Sequence, residues 1–275
     1  MIDHWPNWTL IVAANNERVL QDTLLRSPEV DVACQVLIKR GFSSAAFAYN
    51  AGLAEATSEI VVLAHQDVYF PRGWKPDLER ALRWLAAKDP HWGVLGVFGI
   101  TGDPDNRPAG YCYSTGLKRV LGAPFEHPIA AQTLDELVLI VRRSSGLRFD
   151  ERLPGFHLYG TDLCLQTRAA GKNCYILPAF CIHNSNGVKY LPAAYWRCYF
   201  FLRRKWRHLL PVTTCCSRIS RSLGPVFAQI MSDAMHWLAG GRKVGTRNVD
   251  VVRLHRALLI AGKVYASWED VEEHV

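Results

Sequence analysis

Asp67 closes the tripeptide His65-Gln66-Asp67, which directly follows the apolar run at residues 60–64, IVVLA. A carboxylate at the C-terminal end of a strand can hold a divalent cation, and that cation can neutralise a diphosphate and stabilise it as a leaving group. His65 and Gln66 offer only neutral or weak ligands, so a further ligand must come from elsewhere. His183, on a short polar segment after the apolar patch that ends in Cys181-Ile182, is the candidate. Mixed nitrogen and oxygen ligands suit Mn2+ at least as well as Mg2+. The plainer alternative has Asp67 capping a turn before Pro71 and His183 as a hydrogen-bonded loop residue.

Asp162 begins a helical pattern after the run GFHLYG at residues 155–160. It could act as a general base, taking the proton of an acceptor hydroxyl while an anomeric carbon gains oxocarbenium character. A helix cap placed at the positive end of the dipole is the alternative. Phe156, His157 and Tyr159 beside it suit a sugar-stacking platform or, equally, core packing. Asp135 and Glu136 stand at the mouth of a strand, where they could bind sugar hydroxyls or an acceptor, or form a solvated turn. Asn15, Asn16 and Glu17 follow the first strand, where a nucleotide base or ribose could be read. Asn50, in the Asn-Ala-Gly segment that leads towards Asp67, is grouped with the donor-binding positions, and Lys205 is a candidate contact to a diphosphate.

Positioning these groups requires strands that end where the polar residues begin. Residues 8–14 read as a buried strand, 19–25 as a helix, 30–38 as a second strand, 43–57 as a small-residue helix and 60–64 as a third strand. Three strand-then-helix units without polar alternation argue for a mostly parallel, in part mixed, sheet with helices on its faces. Residues 76–87 read as a helix, 92–100 as one strand, 101–116 as a long polar loop, 137–141 and 175–177 as strands, and 161–170 as a helix. Beyond residue 190 the chain turns aromatic and basic, and 213–239 and 247–264 read as helical. The expected organisation is one α/β domain over residues 1–190 and a helical extension over 191–275 packed on it.

The chain has 275 residues, 49% of them hydrophobic and 21% charged, which suits a globular protein with a sizeable core. A formal charge of +7, with 32 Lys and Arg against 25 Asp and Glu, favours anionic partners. Its excess gathers after residue 190, beginning with Arg203-Arg204-Lys205, so a nucleic-acid protein throughout is not indicated. Eight scattered cysteines include no Cys-x-x-Cys pair and read as reduced core residues. The sequence contains no Gly-x-Gly-x-x-Gly, Walker, Gly-x-Ser-x-Gly or His-Glu-x-x-His pattern, which removes support for the corresponding cofactor and hydrolase classes. With neither a signal-like N-terminus nor an 18-residue apolar stretch, a cytoplasmic location is expected. Peripheral contact with the inner face of a membrane is left open.

Taken together, LIVAANNER, AYNAGLAEATSEIVVLAHQDVYFPRGW, TLDELVLIVRR and FDERLPGFHLYGTDLCLQTRAAGKNCYILP resemble the family-2 glycosyltransferases of GT-A fold. The similarity covers about residues 8–185, with His-Gln-Asp in place of the usual Asp-x-Asp. It implies a nucleotide-diphosphate-sugar transferase, normally inverting, for which the cation, Mn2+ or Mg2+, would serve the diphosphate. The expected acceptor is a glycan or, if the segment at 195–211 lies on an anionic membrane, a lipid-linked one, and no nucleic-acid partner is expected. By matching position the similarity places the metal on Asp67 and His183 and the base at Asp162, with donor contacts at Asn15, Glu17 and Asp135. His65 and Thr161 depart from the acidic residues usual at their positions. They motivate the alternative of a nucleotide- or carbohydrate-binding module without turnover.

Overall fold

The computed structural model describes residues 7–31, 33, 35–185, 190–240 and 249–265. The first half alternates strand and helix: β1 (Trp8–Ala14), α1 (Glu17–Asp22), β2 (Gln35–Arg40), α2 (Ala45–Glu55), β3 (Ile60–His65), β4 (Val68–Tyr69) and α3 (Trp74–Lys88). Strands dominate the middle: β5 (Val94–Gly96), β6 (Phe98–Thr101), β7 (Pro108–Ser114), β8 (Arg119–Gly122), β9 (Ile129–Leu134) and β10 (Val138–Arg142). There follow α4 (Tyr159–Ala169), β11 (Cys174–Ile176), β12 (Cys181–His183), α5 (Ala193–Lys205), the hairpin β13 (Val212–Thr213) and β14 (Arg218–Ile219), α6 (Gly224–Leu238) and α7 (Val251–Ile260).

Twelve strands form one mixed sheet along the path β2-β1-β3-β10-β5-β11-β9-β6-β7-β12-β4, with β8 paired to β7. β1 runs parallel to β2 and β3, as β5 does to β11 and β7 to β12, whereas the other pairs are antiparallel; the sheet is mixed as expected but not mostly parallel. Side chains alternate across this sheet. Val61 and Leu63 of β3 enter a core with α2, α4 and α5, and Ile60, Val62 and Ala64 enter a second core with α3. Both faces are therefore covered, which explains the unbroken apolar run of β3.

Gly52 shows why a helix-weakening residue is kept inside α2. A Cβ there would lie 2.4 Å from Ile11 Cγ2, so α2 can sit on β1 only because position 52 has no side chain. Ser44 caps the helix by accepting from the Phe47 N–H.

Several expectations need correction. The strand expected at 92–100 is two strands broken at Val97, because β5 pairs with β10 and β11 while β6 pairs with β7 and β9. Residues 101–116 are not a long loop: β7 fills 108–114 and pairs with β6, β8 and β12. Its Pro, Gly and small residues mimic loop composition, and with Gly110, Tyr111 and Cys112 buried in succession it lacks the alternation that marks a half-buried strand. β9 was not anticipated. In the tail, 213–239 is helical only from Gly224, since β13 and β14 occupy its start. α5 carries Tyr195, Trp196, Tyr199 and Leu202 into the core it shares with α2 and α4.

Candidate active site

The polar ends of β1 and β3 are tied together by Gln66. Its Oε1 accepts from the backbone N–H groups of Asn15 and Asn16, both at 3.0 Å, and its Nε2 donates to Asn15 Oδ1 at 2.6 Å. This bracket fixes one wall of a cavity of about 310 Å³ lined by Ala13, Ala14, Asn15, Lys39, Gly41, Phe42, Tyr49, His65, Gln66, Asp67, Phe156 and Tyr159.

His183 reaches Asp67 through strand pairing. β12 runs antiparallel to β4 with His183 opposite Val68, and the Asn184 N–H donates to the Asp67 carbonyl at 2.8 Å. His183 Nε2 lies 3.4 Å from Asp67 Oδ2, and His65 Nδ1 lies 3.9 Å from Asp67 Oδ1. One ligand atom from each of His65, Asp67 and His183 falls within 4.8 Å of the others. These three residues fit a divalent cation: two imidazoles and a carboxylate converge, and the second ring nitrogen of His65 is already oriented. Its Nε2 is 2.8 Å from the Tyr159 hydroxyl, so the tautomer that donates there leaves Nδ1 free as a ligand.

The charges agree with this arrangement. Burial works to raise the Asp67 pKa, but the neighbouring His183 and then His65 overcome it and hold the carboxylate below its ordinary range. Burial works to lower that of His183, and Asp67 reverses the effect and lifts it. His65 goes down, because burial outweighs Asp67. Burial thus favours the neutral imidazole at His65, while Asp67 favours the protonated one at His183, so a cation there would compete with a proton for that ring.

The remaining sequence candidates separate into two groups. Asn15, Phe156 and Tyr159 line the cavity with Asp67. Asp135 lies in the loop between β9 and β10, where its Oδ1 accepts from the Leu137 N–H at 3.0 Å and its charge reaches both histidines of the triad. The others are engaged elsewhere. Asn50 donates to the Phe149 carbonyl and accepts from the Phe149 N–H, both at 2.9 Å, so its amide pins the 149–151 loop and is not a donor contact. Glu17 accepts the guanidinium of Arg40 and the amide of Gln21 on the outer surface. His157 packs its ring against Tyr195, with its pKa lowered by burial.

Asp162 and Lys205 require the larger correction. Asp162 is 1% exposed; its Oδ1 accepts from Trp206 Nε1 at 2.6 Å and its Oδ2 from Lys205 Nζ at 2.8 Å and Gln166 Nε2 at 2.9 Å. A carboxylate so occupied is a poor recipient for an acceptor proton, and the geometry makes it an anchor for α5 on α4. Lys205 also holds Asp150 at 2.8 Å, so its ammonium is not free for a diphosphate.

Sequence reading left Tyr49, Gly41 and Phe42 out of the site and counted His65 as a weak ligand and a departure from the acidic residue usual there. The i, i+2 spacing of His65 and Asp67 at a strand end was the available signal, since it aims both side chains the same way. Nothing local marked Gly41 and Phe42, which with Lys39 arrive through the parallel register of β1 and β2.

A mixed sheet covered on both faces, with a cation-ready triad and a ligand-sized cavity at one strand edge, defines an α/β protein built to hold a polar ligand there. The chain belongs to the glycosyltransferase-like family, whose model matches residues 9–197, and its architecture is the expected GT-A-like one. It is 30% identical over 139 residues to "ATP synthase subunits region ORF 6" of Fuscovulum blasticum, a match covering 50% of this chain and 55% of that one. The chain thus spans about half the length of that curated relative. It is also similar to the solved mannosyltransferase PcManGT from Pyrobaculum calidifontis in complex with GDP-Man and Mn2+, at 16% identity and a TM-score of 0.43, covering 75% of this chain and 63% of that one. A further likeness is to GalNAc-T7 with UDP, GalNAc and Mn2+, at 10% identity and a TM-score of 0.48, covering 72% and 48% of the two chains.

Proposed function

We propose that the protein transfers a sugar from a nucleoside-diphosphate sugar to an acceptor hydroxyl with inversion at the anomeric carbon. The observation that carries this reading is the convergence of His65, Asp67 and His183 beside the 310 Å³ cavity, at the strand edge where α/β folds bind ligands. Family membership supports it. In this reading Asn15, Gln66, Lys39 and Phe42 receive the nucleotide, Asp135 and Tyr159 flank the sugar, and Phe156 covers the rim. The triad would hold a divalent cation, Mn2+ as readily as Mg2+, whose charge supports departure of the diphosphate.

The engagement of Asp162 favours a second reading, a binding module without turnover. A thermal-shift screen of UDP-glucose, UDP-GalNAc and GDP-mannose with and without MnCl2 tests both, followed by assay of nucleoside diphosphate release. Mn2+-dependent stabilisation with release supports the transferase, and stabilisation without release supports the module.

For the C-terminal part, the described residues 191–240 and 249–265 serve in this reading as an extension held to the first domain through α5. Phe227, Met231 and Met235, at four-residue spacing on α6, are 56%, 61% and 60% exposed, and Arg204, Arg207, His208 and Arg221 gather nearby in sequence. Exposed apolar residues together with basic ones suit peripheral contact with an anionic membrane that presents a lipid-linked acceptor. Among the described residues no helix is long and apolar enough to cross a membrane.

A further inference from the structure

The carboxylates around the triad are occupied in different ways. Asp67 is paired with the two histidines, Asp135 turns onto the Leu137 N–H, Asp150 is held by Arg152 and Lys205, and Asp162 by Lys205 and Trp206. Glu136 differs from all of them. Among the described residues it has no ion pair and no side-chain donor; what meets its carboxylate is backbone N–H, from Gly160 to Oε1 at 3.3 Å and from Leu158 and its own residue. Its charge is felt by the hydroxyls of Tyr49, Tyr159 and Tyr195 and the thiols of Cys164, Cys198, Cys215 and Cys216, with Asp135 as the neighbouring anion.

Two further contacts fix Glu136 relative to the triad. The Tyr159 hydroxyl, 2.8 Å from His65 Nε2, lies 3.4 Å from the Glu136 carbonyl oxygen. Gly160 provides the space for the carboxylate: a Cβ at that position would lie 3.3 Å from Glu136 Cγ, 3.5 Å from Oε1 and 2.9 Å from the Leu134 carbonyl oxygen. The second residue of α4 therefore has no side chain, and the chain places a carboxylate from the β9–β10 loop over that first turn.

Resting on the transferase reading above, we infer that Glu136 is the proton acceptor for the attacking hydroxyl, the role that residue order had assigned to Asp162. In the step, the acceptor O–H bond breaks and its proton passes to the Glu136 carboxylate. The acceptor oxygen uses the freed pair to bond the anomeric carbon, the bond from that carbon to the diphosphate oxygen breaks, and its electron pair leaves with the nucleoside diphosphate. The proton on Glu136 then returns to solvent. Burial, and after it the charge of Asp135, pushes the Glu136 pKa up to about 8, which suits a base working near neutral or mildly alkaline pH.

The test replaces Glu136 by Gln, which keeps an oxygen for the Gly160 N–H but cannot take a proton. Wild type, Glu136→Gln and Glu136→Asp are compared with UDP-glucose, UDP-GalNAc and GDP-mannose in MnCl2, reading melting-temperature shift and nucleoside diphosphate release over pH. The expected result is an unchanged donor-induced shift in Glu136→Gln, release slowed by about 100-fold or more, loss of the acidic limb of the rate profile, and partial recovery in Glu136→Asp. Release by Glu136→Gln within about threefold of wild type overturns the inference. So does a wild type that is stabilised by a donor yet releases nothing, which leaves donor binding standing. Absence of any donor-induced shift in wild type overturns the transferase reading itself. If Glu136→Gln fails to fold, Glu136→Asp alone decides: release at the wild-type rate with an unmoved pH profile overturns the inference.

Discussion

Lys205 Nζ lies 2.8 Å from Asp162 Oδ2, joining the last turn of α5 to the first turn of α4. The same ammonium reaches Asp150, so its removal would leave the buried Asp162 without its cation and Asp150 with Arg152 alone. Taking one partner from a buried pair costs more than the pair contributes, because the other charge stays desolvated. Lys205→Met should lower the unfolding free energy by about 2–4 kcal/mol in urea titrations.

Acid should loosen the same junction. Arg152 and Lys205 hold the Asp150 carboxyl well below its ordinary range. For a carboxyl whose folded pKa is depressed, the stabilisation is present above the unfolded value, near 3.8 here, and is lost as pH falls towards the folded one. Stability should therefore decline below about pH 4, and less steeply in Asp150→Asn, when thermal unfolding is followed across that range.

Glu136 gives the opposite sign. Its folded pKa of about 8 stands above the ordinary value of 4.5, so between these values the folded protein keeps a proton that the unfolded chain has released. Stability falls as pH rises through that window. Glu136→Gln should flatten this slope and melt above wild type at alkaline pH. A parallel pair of pH profiles would contradict the assignment.

How far the sequence reveals this site depends on whether a residue's role is decided along the chain or across it. The apolar run before His65 announced β3, and the Asp67–His183 pairing followed from two polar strand ends, because strand-end chemistry is local. Asp162 misled for the same reason. A carboxylate in the first turn of a helix looks available until Trp206 and Lys205, more than 40 positions later, are brought onto it by tertiary packing. Glu136 and Gly160 share one small space only through the placement of α4 against the β9–β10 loop. β7 was hidden by a composition that matches a loop as well as a strand paired on both sides.

Gly160→Ala should act through Glu136. The added methyl meets the Leu134 carbonyl at 2.9 Å and Glu136 Cγ at 3.3 Å, so the carboxylate must move. Nucleoside diphosphate release is expected to fall by roughly 10-fold or more while Mn2+ binding stays intact. Equal loss of both would indicate general damage to the fold.

On the extension, Met231→Asp with Met235→Asp should abolish sedimentation with phosphatidylserine vesicles while leaving the melting temperature nearly unchanged, since both side chains are largely exposed. Wild-type binding should weaken as salt is raised. Failure of the wild-type protein to sediment would remove the membrane reading.

The most direct measurement is Mn2+ binding, by electron paramagnetic resonance, to wild type, Asp67→Asn and His183→Ala, each with and without UDP-glucose, UDP-GalNAc or GDP-mannose. Wild type should bind a single Mn2+ per chain, more tightly when its donor is present, because the effect of each ligand on the other is reciprocal. Both variants should lose that binding and its coupling to the donor. Mn2+ binding of equal affinity in all three proteins, unaffected by any of the donors, would contradict a cation site at His65, Asp67 and His183.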